Sequence, residues 1–486
     1  MKLRLLLITL LITQFTYSQY YMLTDSVWGH KVSNGANFSN PASGIGRELA
    51  ASSDGTRFIL AEKFNDSIAS RAGAIHVYSY DSVLNKSTKE LTIVGHQSSE
   101  YLGSDVQISG DGSVIAFSGE SGSNGYIKVY KYDGSSWNQK GDSLSFTSTD
   151  LEVSLNKDGS VLAIGNSYDD AVASNAGSVS IYELSNNKWT MLGSLITESK
   201  AGARFGSKVV LDDTGFRVAT AAKYYNQSDI IQYVGYVKVY DYSNNNWTQV
   251  GSTLNGTNGS FAGAGLDLSN DGKTLIFGAS GYGNLSVGFV KVYSEINNSW
   301  TQKGSTIYGT VTGGYLGGTV ATADNGLTIA VGSQEGSSAD GSFRIYQFES
   351  DWTVKFQQNG WREGSLAGEL AMNNSGTRFF VGDDLAKNNG EYTGAMYIFK
   401  ADVVTGSEKI KILPEYILSP NPSFNQVLIQ GSSDFEYATI IDSKGSILLT
   451  SRKRKVDTSF LRSGIYFVRV HYGRDHTPII LKLIKK

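Results

Sequence analysis

The sequence predicts an all-β chain: a seven-bladed β-propeller of four-stranded blades, closed into a ring by its N-terminal strand, followed by a small Ig-like β-sandwich. Three observations predict it. A glycine followed by a short alternating strand that runs into an aromatic recurs at Gly73, Gly125, Gly177, Gly235, Gly288, Gly341 and Gly394, with a mean spacing of about 53 residues, in the range of propeller repeats. A second set, Gly55, Gly112, Gly159, Gly215, Gly272, Gly326 and Gly376, marks a tight turn in each unit. Glycine is abundant (55) and proline scarce (5), which suits many short strands joined by tight turns.

Taken from the N-terminus, Lys2 and Arg4 precede an apolar run from Leu5 to Ile12, and Thr16-Tyr17-Ser18 offers small residues at −3 and −1. This is the pattern of a secretory signal over residues 1–18, with cleavage between Ser18 and Gln19. The run is too short to span a bilayer. There is no cysteine, so no disulfide holds the exported protein, and burial with ring closure must do so.

The propeller is expected over residues 19–400. In the fifth unit Leu266–Ser269 alternates, Asn270-Asp271-Gly272 turns the chain, and Thr274–Gly278 returns. After a variable loop, Gly288–Tyr293 forms the third strand, Asn297-Asn298-Ser299 turns, and Trp300–Gly304 forms the fourth. Period-2 alternation between such turns is a hairpin signal, and four antiparallel strands make a blade. The fourth-strand tryptophan recurs at Trp137, Trp189, Trp247, Trp300 and Trp352, with Leu91 in its place once. The seventh unit has no fourth strand of its own, and Trp28 lies unused ahead of the first. The segment around Trp28 is therefore expected to complete the last blade and remove its open edge.

Arg204-Phe205-Gly206, Tyr315-Leu316-Gly317 and Phe277-Gly278-Ala279-Ser280 carry a resemblance to the FG-GAP-like propeller repeats of integrin-type and bacterial surface proteins. The resemblance implies calcium sites in the first hairpin, but here each hairpin keeps one carboxylate, such as Asp54, Asp111 or Asp271. Calcium takes six to eight oxygens, so a plain type I′ turn is expected there, with no metal and no cofactor.

Residues 401–413 read as a linker and 414–486 as a second domain. Its strand-like runs are 427–429, 437–441, 447–449, 465–470 and 479–484, separated by turn chemistry at 442–445 and 462–464. Leu418-Ser419-Pro420-Asn421-Pro422, Asp442-Ser443-Lys444-Gly445, Val456-Asp457-Thr458 and Leu461-Arg462-Ser463-Gly464-Ile465-Tyr466, with the basic end Lys482–Lys486, resemble the type A C-terminal sorting domain of the type IX secretion system. The resemblance implies recognition by that machinery through Pro420, Asn421, Pro422, Asp442, Gly445, Leu461, Gly464 and Tyr466. It also implies export through the periplasm to the outside of the outer membrane, with release or attachment rather than insertion. The run Arg452–Lys455 reads as a solvated loop.

The net charge is −3 overall, but residues 407–486 carry 13 basic and 7 acidic groups while 19–406 are net −11. An acidic body argues against nucleic acid as a partner. Five scattered histidines form no zinc-protease motif, and no Gly-x-Ser-x-Gly elbow occurs. His76 reads as a packed strand residue. Gly272-Lys273-Thr274 mimics a phosphate loop but sits in a hairpin turn. Asp169-Asp170 and Asp383-Asp384 pair carboxylates, yet glycosidase chemistry needs two acids about 5–10 Å apart with separated pKa values. Neighbouring loop aspartates are ordinarily solvated.

Connectivity places the Asp-Gly and Asn-rich turns on one face and the long variable loops on the other. The loop face carries Tyr168, Asp169, Tyr224, Tyr225, Asp229, Tyr282, Tyr308, Asp383 and Tyr392, the stacking and hydrogen-bonding groups of a sugar or peptide surface. Three functions are compatible with this reading: a non-catalytic binding or adhesion module for a glycan or protein, a scaffold in a surface assembly, and a polysaccharide-active enzyme. The first is expected.

Overall fold

The computed structural model describes residues 19–29, 44–281, 286–333, 341–359, 368–388, 391–403, 417–419, 423, 425–430, 435–442, 447–472 and 479–485. Among them every regular element is a strand. The chain divides into two compact units, one spanning Gln19–Asp402 and one containing Val403–Lys486.

In the first unit, seven antiparallel sheets follow one another along the chain. Their inner strands are Leu49–Ala51, Val106–Ile108, Leu151–Leu155, Lys208–Leu211, Ala262–Leu268, Leu316–Thr322 and Leu370–Met372, and we number the sheets 1 to 7 accordingly. Sheet 5 is typical: Ala262–Leu268 pairs with Thr274–Ala279, which pairs with Phe289–Ile296, which pairs with Ser299–Gln302. Each second strand is buried along nearly its whole length, as in Thr274–Ala279 and Thr328–Ser333, so its side chains fill the space between neighbouring sheets on both faces.

The outer strand of sheets 2 to 5 is broken in two. In sheet 5 a second segment, Ile307–Tyr308, returns to pair with Phe289 and Val290 beyond the Lys303-Gly304 break. The break has a packing cause. A Cβ at Gly141, Gly193, Gly251 or Gly304 would meet the indole of Trp189, Trp247, Trp300 or Trp352 from the following sheet. Three of those indoles donate to the backbone of the sheet before: Trp189 Nε1 to Lys140 O (3.0 Å), Trp247 Nε1 to Leu192 O (2.8 Å) and Trp352 Nε1 to Lys303 O (2.8 Å).

Two systems of hydrogen bonds join the sheets. At the turn end, Ser53 N donates to Gly110 O, Asp111 N to Lys157 O, Lys157 N to Asp213 O and Asp213 N to Asn270 O. Asn270 N then donates to Asp324 Oδ1, Asp324 N to Asn374 O, and Asn374 N back to Ser53 O (2.7 Å). The circuit visits all seven sheets and closes. At the loop end, parallel bridges link Gly73 to Leu102, Gly177 to Phe205, Gly235 to Ala262, Gly288 to Leu316, and Gly394 to Ile45. The recurring glycine is needed at this seam: Gly177 has φ +83° and its Cβ would run into the Phe205 carbonyl.

The N-terminal strand Gln19–Trp28 pairs with Ala395–Val403 as the fourth strand of sheet 7. That strand continues past residue 400, and the linker expected at 401–413 lies mostly outside the described residues. Trp28 does not take the tryptophan role. Gly29 N donates to Gly394 O, which puts Trp28 at the loop end, 39% exposed with its ring edge-on to Tyr397. Tyr21 fills the position instead, stacked on Phe356 of sheet 6 (4.9 Å). Thr24 Oγ1 donates to Ile398 O and accepts from the Tyr80 hydroxyl of sheet 1, so the strand ties sheets 6, 7 and 1 together.

The turns also differ from expectation. At the Asp-Gly turns only the glycine has positive φ, as at Gly55 (+67°) and Gly272 (+70°), so these are not type I′. The turn aspartate is a cap. Asp54 Oδ1 accepts Thr56 N (2.8 Å) and the Ser52 hydroxyl (2.7 Å), and Asp111 and Asp271 repeat this. Type I′ geometry, positive at both central residues, occurs at Asn186-Asn187, Asn244-Asn245 and Asn297-Asn298.

In the second unit, Ile417–Ser419, Gln426–Gln430 and Lys455–Asp457 form one sheet. Ile447–Ser451, Phe435–Ile441, Gly464–Tyr472 and Ile479–Lys485 form the other, in that order. Val427, Ile429 and Val456 from the first share a core with Ala438, Ile440, Val468, Val470 and Leu483 from the second. Leu461 is buried in that core, Gly464 opens a strand, and the Tyr466 hydroxyl donates to Arg462 O. Asp442 is half-buried at the end of its strand. Pro420, Asn421, Pro422 and Gly445 lie outside the described residues. The buried hydroxyls of Ser423 and Thr458 bond each other (2.7 Å). Arg454 stacks over Phe435 (4.9 Å) while Lys453 is exposed.

Candidate functional site

Four of the inter-sheet seams share one device at the loop end. The loop residue two before the glycine and the residue just before its bridged partner on the next sheet both adopt left-handed backbone: Arg71 with Tyr101, Asn175 with Arg204, Tyr233 with Phe261, and Ser286 with Tyr315. In each pair the second residue's N–H donates to the first one's carbonyl. None of the eight is glycine, so each holds strained backbone of order 1–2 kcal/mol, and the second member is usually large. The seam thereby projects Tyr101, Arg204, Phe261 and Tyr315 around the loop face.

Between sheets 3 and 5 these side chains form a continuous line. The Arg204 guanidinium lies over two tyrosine rings, 4.4 Å from the Tyr168 centroid and 4.5 Å from that of Tyr224. Tyr224 meets Phe261 edge-on (5.9 Å), and Phe261 stacks on Tyr233 (5.0 Å, 16°). Lys223 Nζ stands 5.4 Å from the Tyr224 ring. Tyr168 and Tyr233 are 39% and 43% exposed. Beside Tyr168 a polar groove of about 530 Å³ runs between sheets 1, 2 and 3, lined among others by Lys63, Glu120, Thr147, Asp150, Glu152 and Asp170.

Glu152 also faces a central channel of about 190 Å³, lined by the inner strands of all seven sheets. The residue immediately before the repeated inner-strand apolar position is, in order, Glu48, Asp105, Glu152, Lys208, Gly265, Thr319 and Glu369, with Asp267 two residues beyond Gly265. Lys208 Nζ bonds Glu152 (2.8 Å). Burial opposes its charge, but Glu152, Glu369, Glu48 and Asp105 together hold its pKa well above the ordinary lysine value. Burial pushes Glu48 up to about 8 against the attraction of Lys208, and Asp267 up to about 7 despite amide hydrogen bonds from Thr322 and Leu268. Asp105 and Glu369 are raised for the same reason. Asp105 and Asp267 are also staples: Val153 N donates to Asp105 Oδ2 (2.6 Å) and Thr322 N to Asp267 Oδ2 (2.7 Å), each across a seam. Among the described residues no group of three or more His, Asp or Glu is placed to hold a metal ion.

The structure brings Tyr168 and Tyr224 together through Arg204, and separates the other expected face residues from them. Tyr225 packs inward on Tyr236 (4.8 Å). Asp169 accepts Ala171 N and the Ser178 hydroxyl, so it holds its own loop. Asp383 is buried at 4% exposure and accepts Leu385 N. Tyr308 belongs to the outer strand of sheet 5, against Phe289 (6.2 Å), not to the inter-sheet link. Asp229 is exposed in its loop. Tyr282 lies outside the described residues, and Tyr392 is placed in a short strand, Glu391–Tyr392. His76 is buried, with Thr92 on Nδ1 and the buried Glu62 carboxylate 3.6 Å from Nε2. Arg204 and the channel tier were missed by residue-type reasoning. Their signal was positional: Arg204, like Tyr101, Phe261 and Tyr315, stands two residues before a glycine, and the channel tier stands beside the repeated inner-strand apolar residue.

Residues 418–486 match the family model described as a secretion system C-terminal sorting domain. That domain indicates an exported protein, secreted or at the cell surface, that engages the type IX secretion machinery. The search of curated proteins returned no match. Among solved structures the chain is similar to U3-55K, at 14% identity and TM-score 0.47, covering 78% of this chain and 98% of that one. It is similar to the C-terminal WD40 domain of Sif2, at 12% identity and TM-score 0.47, with 80% and 99% covered. It is also similar to a Bacteroides uniformis protein provisionally described as a 6-phosphogluconolactonase, at 12% identity and TM-score 0.45, with 69% and 96% covered. The propeller-like all-β reading rests on the strand pairing of this chain itself.

Proposed function

We propose that residues 19–400 form a closed seven-bladed, FG-GAP-like propeller acting as a non-catalytic binding or adhesion module for a glycan or a protein. An N-terminal signal cleaved between Ser18 and Gln19 starts its export, and the Ig-like sorting domain completes it, leaving the chain released or attached to the outer-membrane exterior. The observation that carries the reading is the line of aromatic and cationic side chains, Tyr168 to Tyr233, held at the loop face by left-handed backbone. Strained backbone that presents side chains to solvent is a mark of recognition surfaces. The test is a glycan array and a surface-protein panel probed with the purified chain 19–486, with reducing-end release measured in parallel. Saturable binding without product is expected.

A polysaccharide-active enzyme is the second reading. Its support is the channel carboxylates, Asp267 and Glu48, whose pKa values are raised to about 7 and 8, the range of a general acid. Product release abolished by Asp267→Asn would favour it. A silent array and no product would favour the scaffold role.

A further inference from the structure

We infer that the Tyr168–Arg204–Tyr224–Lys223 cluster is a recognition site for an oxyanion substituent on a saccharide, a carboxylate or a sulfate. The inference rests on the binding-module reading and names its ligand class. The Arg204 guanidinium carbon lies over two tyrosine rings, 4.4 and 4.5 Å from their centroids. Among the described residues neither Arg204 nor Lys223 has a side-chain hydrogen bond or a carboxylate partner. A guanidinium held over two rings with no hydrogen bond to its N–H groups is preorganised for bidentate contact with a planar or tetrahedral oxyanion.

The backbone supports a built site. Arg204 sits at φ +51° and its N–H donates to Asn175 O, itself at φ +49°. At the corresponding seams this position holds Tyr101, Phe261 and Tyr315, so the seam tolerates any large side chain and does not itself require arginine. Lys223 places a second cation against the Tyr224 ring. The two acids on the Tyr168 loop cap their own backbone: Asp169 accepts Ala171 N, and Asp170 accepts Asn175 N (2.7 Å).

A saccharide fits better than a peptide for two reasons. The line continues from Arg204 through Tyr224 and Phe261 to Tyr233, whose ring is 43% exposed and offers a sugar ring an aromatic surface to lie against. The adjoining groove is walled by hydroxyl, amide and carboxylate groups, including Thr147, Thr149, Asp150 and Asn175. These suit sugar hydroxyls, and they lack the apolar pocket in which a peptide anchor residue would be buried.

The test uses the chain 19–486 and three tetrasaccharides measured by calorimetry: oligogalacturonate, which carries carboxylates only, a sulfated galactan (κ-carrageenan) tetrasaccharide, which carries sulfates only, and neutral galactotetraose. The expected result is that at least one anionic tetrasaccharide binds tenfold or more tightly than the neutral one, with affinity falling as salt rises. The carboxylate and sulfate arms tell the two sources apart. Arg204→Gly, which suits the left-handed backbone, is expected to remove at least tenfold of that affinity with the melting temperature held. Arg204→Lys is expected to restore only part of it, and Lys223→Gln to cost about threefold. Equal binding of neutral and anionic sugars, or anionic affinity within twofold in Arg204→Gly, would overturn the inference while leaving the binding-module reading in place. Failure of all three tetrasaccharides to bind would also overturn it, with that broader reading then decided by the array.

Discussion

Gly177 meets two demands at once, a φ of +83° and a close approach to the Phe205 carbonyl, and the two can be separated by substitution. Gly122 has φ +67° with open space around it. Gly122→Ala is expected to cost about 1 kcal/mol, from backbone strain alone. Gly177→Ala is expected to cost about 3 kcal/mol or more, because the seam between sheets 3 and 4 must also open. Chemical denaturation of both variants checks the difference, and equal losses would mean that the close approach carries no energy.

Lys208 makes a second prediction at this scale. It is the one lysine in a tier with Glu48, Asp105, Glu152 and Glu369, and Lys208→Met leaves those carboxylates without it. A loss on the order of 2–3 kcal/mol is expected at pH 7.5, reduced from the fully buried case because the lysine side chain is 23% exposed. The loss should shrink toward pH 5 as Glu48, Asp105 and Glu369, whose pKa values burial raises, protonate. A pH-independent loss would point to packing instead of charge.

At the scale of the element, the outer strands act through their tryptophans. Trp247 Nε1 donates to Leu192 O, whereas Trp300 Nε1 is buried without a partner. Trp247→Phe should therefore destabilise by about 1 kcal/mol more than Trp300→Phe, measured as the difference in denaturation free energies. Much of this level was legible in sequence. Five of the seven recurring glycines mark the bridged seams, and the missing fourth strand of the last unit points to the N-terminal segment that supplies it. The details that escaped are those fixed by neighbours. Trp28 resembled the repeated tryptophan by type, yet strand direction places it at the loop end and gives its role to Tyr21. The Asp-Gly turns looked like the tightest hairpins, but their Ser-x-Asp caps favour a turn with left-handed backbone at the glycine alone, and the Asn-Asn pairs take the type I′ geometry. Arg204 was invisible as a site because its significance comes from two tyrosines, Tyr168 and Tyr224, carried on loops of different sheets.

For the whole molecule, the acids of the channel set the pH dependence. Glu48, Asp105, Asp267 and Glu369 all have folded pKa values above their unfolded ones. The stability they contribute is therefore fully present below about pH 4 and is lost as pH rises toward 8. Glu100 and Glu198 run the other way. Burial raises them, but hydrogen bonds led by the Tyr126 and Tyr236 hydroxyls outweigh it and leave their pKa values low, so their contribution is lost in acid. Melting temperature should consequently peak between about pH 4.5 and 6 and decline toward pH 8. A flat profile from 5 to 8 would mean the channel carboxylates titrate normally.

The closed circuit of turn-end hydrogen bonds leaves the loop end as the variable face, and binding is expected there. The direct measurement is saturable binding of the purified chain 19–486 to its best array ligand, compared between two sets of variants. Tyr168→Ala and Tyr224→Ala alter the loop face, while Asp111→Asn and Asn298→Gly alter the turn face. At least a tenfold loss of affinity is expected in the first set and less than a twofold change in the second. Loss confined to the turn-face variants, or undiminished binding in the loop-face variants, would contradict it.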